Sequence, residues 1–186
     1  MTKRNTHPRL SRAFFARDTL KVARELLGKT LVRKIGRKIF RARITETEAY
    51  CGPDDKASHA AKGRTLRTSP MFGLSGVLYV YLIYGMYHCL NIVTEREGYP
   101  AAVLIRGLVP VSKNLKSADL NGPGKLCRAL AVDRELNGTD SITGNKLWIE
   151  DAPAVSSALV RNSGRIGVEY AGAWKRKPWR FFLEEK

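Results

Sequence analysis

Apolar residues at helical spacing occur early in the chain. In "DTLKVARELLG", Asp18 stands at the start, Leu20, Val22, Ala23, Leu26 and Leu27 fall on one side, and Gly28 closes the run. This predicts an amphipathic helix capped by Asp18 and ended by the glycine. From Lys29 the period becomes two: "KTLVRK" and "KIFRARITETEAY" flank a turn at Gly36, and Phe40, Ala42 and Ile44 alternate with Arg41, Arg43 and Thr45. Carried on at the same phase, the alternation puts Glu46 and Glu48 on the buried side with Ile44. A carboxylate there is costly unless it is paired, hydrogen-bonded or engaged in chemistry. The alternative is that the strand ends or bulges at Thr45 and both acids are solvated.

Residues 52–76, with four glycines and two prolines, predict a long loop of the kind that carries function. "VLYVYLIYGMYHCLNIV" then predicts two strands joined tightly at "IYGM", and "AAVLIRGLVP" a third that ends at Pro110, together an antiparallel meander. A short helix is expected around Leu126, Ala129, Leu130 and Val132 after the Gly122–Gly124 turn. "KLWIED", "RIGVEY" and "WRFFLEE" predict three more strands. No composition break divides the 186 residues, so a single domain over 1–186 is expected, with residues 1–12 as a flexible basic N-terminus.

Charge changes the picture. The chain holds 33 Lys and Arg against 17 Asp and Glu, a formal net charge of +16. Residues 1–43 contain fourteen of the cations and only Asp18 and Glu25 as acids. Such an excess is the electrostatic footprint of a protein that meets phosphates. Cys51, Cys89 and Cys127 are odd in number and in no C-x-x-C pattern, which supports neither a disulfide framework nor a zinc site. The opening "MTKRNTHPRLSRAFF" lacks the apolar core of a signal peptide, and Val77–Val93 is too short and too polar to span a membrane. A reducing compartment fits best: cytoplasmic and nucleoid-associated in a bacterium, or nuclear in a eukaryote, and not secreted.

Tyr79, Tyr81, Tyr84 and Tyr87 fall within nine residues. Tyr79 and Tyr81 share a strand face, while Tyr84, beside Gly85, sits at the hairpin tip, where an exposed aromatic ring can enter a base stack. A basic surface and an aromatic tip suit nucleic-acid binding, but a binding module has no use for a buried acid. Hydrolysis of an N-glycosidic bond does, because positive charge builds on the sugar while water attacks C1′. A non-catalytic nucleic-acid-binding protein, with Glu48 structural, is the alternative. A base deaminase needs H-x-E and C-x-x-C zinc ligands that the chain lacks. Lys125 as a lyase nucleophile has no neighbour that would depress its pKa.

"ITETEAYCGPDDKASHA", "LYVYLIYGMYHCLNIV", "AAVLIRGLVP", "GPGKLCRALAV" and the "RIGVEYAG" to "RKPWRF" segment resemble, in this order from about residue 10 to the end, the alkyladenine (3-methyladenine or methylpurine) DNA glycosylases of base-excision repair. The resemblance implies an α/β fold of the α+β type: a single domain with a curved, mainly antiparallel sheet flanked by helices, and a protruding hairpin. It implies that Glu48 activates the hydrolytic water, that Arg106 and the backbone carbonyl of Ile166 hold that water, and that Tyr50, His59 and Tyr81 stack on a flipped base. It further implies that Asn91 excludes purines with a 2-amino group and that Tyr84 fills the gap left in the duplex. No cofactor or metal is implied; the partner is double-stranded DNA containing damaged purines, bound by a monomer away from membranes. The chain departs from longer relatives in lacking an extended N-terminal tail, and has isoleucine at 166 where valine is commoner. Mutual repulsion of Glu46 and Glu48 is expected to raise a proton affinity, and Arg106 to oppose it, leaving Glu48 ionised.

Overall fold

A computed structural model describes residues 7–184 of the protein. Its strands are β1 (Thr30–Ile35), β2 (Lys38–Cys51), β3 (Leu78–Ile83), β4 (Tyr87–Val93), β5 (Ala101–Pro110), β6 (Leu147–Glu150), β7 (Val160–Ser163) and β8 (Arg180–Leu183). They form one antiparallel sheet in the order β3-β4-β5-β2-β1-β6, with β8 added beside β2 and β7 paired to β8. The expected meander is β3-β4-β5. Three short α-helices accompany the sheet: α1 (Arg12–Phe15), α2 (Thr19–Glu25) and α3 (Pro123–Ala129). This is the α+β architecture expected from the sequence, and no helix among the described residues is long and apolar enough to cross a membrane.

The two faces of the sheet have different jobs. Val22, Ala23, Leu26 and Leu27 from the α2 segment and Leu126 and Leu130 from the α3 segment join Ala42, Ile44, Leu78, Val80, Leu90, Ile92, Val103 and Ile105 in the main core. The Asp18 side chain caps α2 by accepting from the Lys21 N–H. The opposite face carries Tyr79, Val93 and Ala102 under the 52–76 loop, where Ala60 and Met71 pack on them. That loop contains two 3₁₀ turns, His59–Lys62 and Ser69–Phe72.

Two expectations need correcting. "RIGVEY" is not a strand; the partner of β8 is Val160–Ser163, and 165–168 instead runs into an irregular 3₁₀ segment at Glu169–Arg176. The basic N-terminal 1–12 divides: residues 1–6 lie outside the described residues, whereas the Leu10 N–H donates to the Ile149 carbonyl and the Asp151 N–H to the Pro8 carbonyl, which ties this stretch to β6.

The most consequential difference lies in β2. Its register against β5 is irregular between Ile44 and Thr47, where Glu46 pairs with Gly107 and Thr47 with Ile105. Thr45 and Arg106 are passed over, so the alternation slips by one on both strands. Ile44 and Ala49 both face the main core, and Thr47 donates its hydroxyl to the Ala23 carbonyl of α2. Glu46, Glu48 and Tyr50 therefore turn to the other face. The sequence phase had put both acids on the Ile44 side. The bulge of the alternative reading is present, but its solvated acids are not: the Glu48 side chain is 0% and the Glu46 side chain 13% exposed.

A Cβ added at Gly107 would lie 2.9 Å from the Glu46 Cβ and 3.1 Å from the Thr45 Oγ1. Glycine is what allows the two strands to close at this point. Gly107→Ala is expected to destabilise the fold by about 1–3 kcal/mol, as overpacked sites do, read by urea denaturation; a change within measurement error would contradict the crowding.

Candidate active site

Row pairing across the sheet aligns Tyr79, Asn91, Leu104, Glu48 and Arg180 on five consecutive strands. Glu48 sits within this row as a fully buried carboxylate with a complete set of partners. Its Oε1 accepts from the Ile166 backbone N–H at 2.8 Å and lies 3.4 Å from the Arg106 Nε. Its Oε2 accepts from the Tyr50 hydroxyl at 2.9 Å. Burial raises the Glu48 pKa above its ordinary 4.5; Arg106, the Ile166 N–H and the Tyr50 hydroxyl oppose the rise, and Glu46 adds the least to it. Desolvation, and not the repulsion between the two acids expected from the sequence, is the main cause of the rise, while Arg106 opposes it.

Tyr50, Arg106 and Ile166 all line one cleft of about 410 Å³, together with Tyr81, Tyr84, Tyr87, Leu104 and the first turn of α3 at Gly122–Lys125. All three touch the Glu48 carboxylate, so Glu48 lies directly behind the cleft wall. A smaller recess of about 30 Å³ shares Tyr50 and Tyr81 with it and is completed by His59, Asn91, Tyr79, Met71 and the Ala57–Ser58 backbone segment. The residues expected as a base pocket, Tyr50, His59, Tyr81 and Asn91, are thus brought together.

His59 and Tyr81 meet edge to face with centroids 4.5 Å apart, and Tyr79 and Tyr81 stand 5.2 Å apart. The His59 Nδ1 lies 3.0 Å from the Tyr79 hydroxyl, and burial, with Arg67 and Lys62 nearby, lowers the His59 pKa to about 4. The ring is neutral at neutral pH. Asn91 is 3% exposed and its Nδ2 donates to the Tyr79 carbonyl at 3.0 Å. Lys56, Lys62 and Arg67 line an adjoining hollow that shares Ser58 and His59 with the recess, Arg134 lines another that shares Tyr81, and Lys125 lines the cleft.

Ile166 contributes through its backbone. Beside the carbonyl expected to hold the water, its N–H has a role of its own as a donor to Glu48, and Ile166 is 49% exposed. What holds this segment in place is an ion pair that sequence reasoning missed. Arg165 and Asp55, both with 0% exposed side chains, form a two-pronged pair at 2.5 and 2.8 Å. Arg165 also donates to the Ala49 carbonyl at 2.9 Å and lies 4.9 Å from the Tyr50 ring centroid. Asp55 in turn accepts from the Cys51 and Ala57 backbone N–H groups, each at 3.1 Å. One ion pair thereby fixes the loop after β2, the Tyr50 ring and the irregular segment that carries Ile166. The only sequence signal was that Asp55 and Arg165 fall inside the resembling blocks.

At the hairpin tip Tyr84 (φ 52°) and Gly85 (φ 69°) both adopt left-handed conformations, and the Met86 N–H donates to the Ile83 carbonyl. This is a type I′ turn, whose first position favours asparagine or glycine over a bulky ring. Tyr84 is 79% exposed and Met86 65%. A tyrosine in that conformation at that exposure is kept against its local preference.

With this geometry in place, comparison with known proteins is decisive. The sequence profile described as "Methylpurine-DNA glycosylase (MPG)" matches residues 13–186. A protein of Anaeromyxobacter sp. (strain Fw109-5) named "Putative 3-methyladenine DNA glycosylase" is 53% identical over 176 residues, covering 95% of this chain and 89% of the relative. Proteins of the same name from Methanocella arvoryzae and Legionella pneumophila are 51% and 45% identical, covering 94% and 95% of this chain and 92% and 95% of those relatives. The site belongs to a hydrolase of base–sugar bonds, a DNA glycosylase of DNA repair. The chain belongs to the methylpurine-DNA glycosylase family, which decides against the non-catalytic binding module.

Two consequences can be measured. Between pH 6.5 and about 4 the unfolded chain takes up a proton that folded His59 refuses, so the contribution of this residue to stability is present above that window and lost as pH falls through it. Denaturation series should show a shallower acid loss in His59→Gln than in the parent; equal slopes would contradict a neutral buried ring. Tyr84→Asn should stabilise the fold by about 0.5–1 kcal/mol by relieving the left-handed tyrosine, read as a higher urea midpoint, and a lower midpoint would refute the strain.

Proposed function

We propose that the protein excises alkylated purines, 3-methyladenine and 7-methylguanine among them, from duplex DNA by hydrolysing the N-glycosidic bond, leaving an abasic site. The observation that carries this reading is the buried Glu48 carboxylate, held by Arg106, Tyr50 and the Ile166 N–H immediately behind the wall of an aromatic recess. It would do its work in the compartment that holds the chromosome, as a monomer on DNA.

The net charge of +16 supports capture of the duplex, and the cations around the recess support phosphate contacts beside the target nucleotide. Tyr84, projecting from the hairpin, enters the base stack and fills the space of the extruded nucleotide, offsetting part of the unstacking cost of a few kcal/mol. The flipped purine stacks against Tyr50 on one side and the His59–Tyr81 edge contact on the other. As it stands the recess of about 30 Å³ admits one or two waters, so seating a purine widens it toward the larger cleft. Alkylation at N3 or N7 leaves the purine cationic, which favours the π faces of the tyrosines and weakens the bond to the sugar. The Asn91 amide, anchored to the Tyr79 carbonyl, borders the purine edge and discriminates against a 2-amino group.

As the bond to the departing purine lengthens, positive charge develops on the sugar and a water attacks C1′. Glu48 accepts the proton of that water, while Arg106 and the backbone at Ile166 orient it. Positioned proton transfer of this kind is typically worth about 10² to 10⁴ in rate, and the fixed carboxylate also stabilises the cationic sugar. The alkylated base leaves as a neutral molecule and needs no acid. A raised proton affinity makes Glu48 a stronger base at neutral pH than a solvated glutamate.

Release of 3-methyladenine and 7-methylguanine from methylated duplex DNA tests the reading. Glu48→Gln should abolish release while retaining lesion-DNA binding. Plotted against pH, the parent's single-turnover rate should fall on the acid side with an apparent pKa above 4.5, and Tyr50→Phe should move that limb upward by removing a hydrogen bond to the carboxylate. Undiminished release by Glu48→Gln would refute the assignment.

A further inference from the structure

β2 brings a second acid into the site, and nothing in the proposed reaction uses it. The Glu46 Oε1 accepts a hydrogen bond from the Arg106 Nε at 3.0 Å and another from the Arg180 Nε at 2.6 Å. Arg180 is braced in turn by donating to the Ser163 hydroxyl at 3.1 Å, across the β7–β8 ladder. The same Arg106 Nε lies 3.4 Å from the Glu48 Oε1, close enough to feel its charge but with its hydrogen bond directed to Glu46. Two carboxylates therefore compete for one N–H, and Glu46 holds it. Among the hydrogen bonds of the described residues, none engages the Arg106 Nη atoms, although Arg106 lines the cleft.

Resting on the glycosylase reading, we propose that Glu46 is a positioning residue for the hydrolysis: it draws Arg106 away from a full ion pair with Glu48, keeping the general base free to accept a proton and the guanidinium tips turned to the reacting water. Arg180 sets how strongly Glu46 does this. Without Glu46, Arg106 closes onto Glu48; with Arg180 removed, Glu46 turns its whole charge to Arg106 and pulls it further from Glu48. The groups that face Glu48 are Arg106 of β5, Glu46 and Tyr50 of β2, Tyr81 of β3, Cys89 of β4 and the Ile166 N–H. Through Glu46, Arg106 also links Glu48 to the Arg180 side chain, beside the backbone pairing of Glu48 with Arg180. Charge removal alone already lowers the Glu48 titration when Glu46 goes and raises it when Arg180 goes, because Glu46 raises the Glu48 proton affinity directly; a positioning pair must in addition change the rate at pH values where Glu48 is fully ionised.

The test is the pH dependence of single-turnover 3-methyladenine release from methylated duplex DNA for the parent, Glu46→Gln, Glu46→Asp and Arg180→Gln, alongside a carbon-13 NMR titration of the Glu48 carboxyl in each free protein. Glu46→Gln should lower the plateau rate between about 10- and 100-fold, the scale of a small misplacement of a catalytic group, and displace both the acid limb and the Glu48 titration to lower pH. Glu46→Asp should recover part of the rate, and Arg180→Gln should displace both curves upward. A Glu46→Gln plateau rate equal to the parent's, with only the titration displaced, would overturn the inference. If the parent releases no base, the glycosylase reading fails and the inference that rests on it fails with it; release by parent and Glu46→Gln at equal plateau rates sinks the inference alone. Should Glu46→Gln fail to fold, Glu46→Asp carries the test: the longer reach to Arg106 should cost part of the plateau rate, and an undiminished plateau would overturn the inference.

Discussion

The site depends on a slip of one residue in the β2–β5 ladder. Up to Ile44, β2 feeds the hydrophobic core beneath α2. From Thr47 onward the buried side is supplied by Thr47 and Ala49, and Glu46, Glu48 and Tyr50 emerge on the opposite face. A regular strand would have driven Glu48 into a layer of leucines and valines with no partner, where its charge could not survive. The slip is matched on β5, so the same irregularity that turns Glu48 around also delivers Arg106 beside it. One packing defect thus places both a base and its counter-ion, and Gly107 supplies the room for it.

Given that placement, the chemistry is a balance of opposed terms. Complete burial pushes the proton affinity of Glu48 up, and a guanidinium, a phenolic hydroxyl and a backbone amide each pull it back. The result is a carboxylate more basic than a solvated one but still held by donors on every side. The donors are themselves rigid because the Asp55–Arg165 pair locks the Ile166 segment, the Tyr50 ring and the loop after β2 into one unit. The hairpin with its left-handed Tyr84 shows the opposite policy: local stability is given up where a large side chain projects into solvent.

Much of this was legible in the sequence, unevenly and for identifiable reasons. α2 could be read because its capping, periodicity and terminating glycine all agree; the β3–β4–β5 meander could be read because Tyr84-Gly85 marks a turn between alternating strands. The residues of the site came from motif resemblance, which no periodicity could have replaced. The bulge was not legible as a fact, since "RITETEAY" contains neither glycine nor proline; its cause, Gly107, lies on a strand some sixty residues away. Asp55 and Arg165 were missed because a buried ion pair between distant loops leaves no periodic trace. "RIGVEY" read as a strand from its alternation, but Arg165 is consumed by Asp55 and the Ile166 N–H by Glu48, so its backbone has no ladder to join.

The central claim is that Glu48 is a buried yet ionised base. A carbon-13 NMR titration of its carboxyl in the free protein measures this directly. The account predicts a single transition displaced above 4.5 and complete below neutral pH, so that the group is deprotonated when the protein works. A transition at or below the ordinary value, or a carboxyl still protonated at neutral pH, would contradict it.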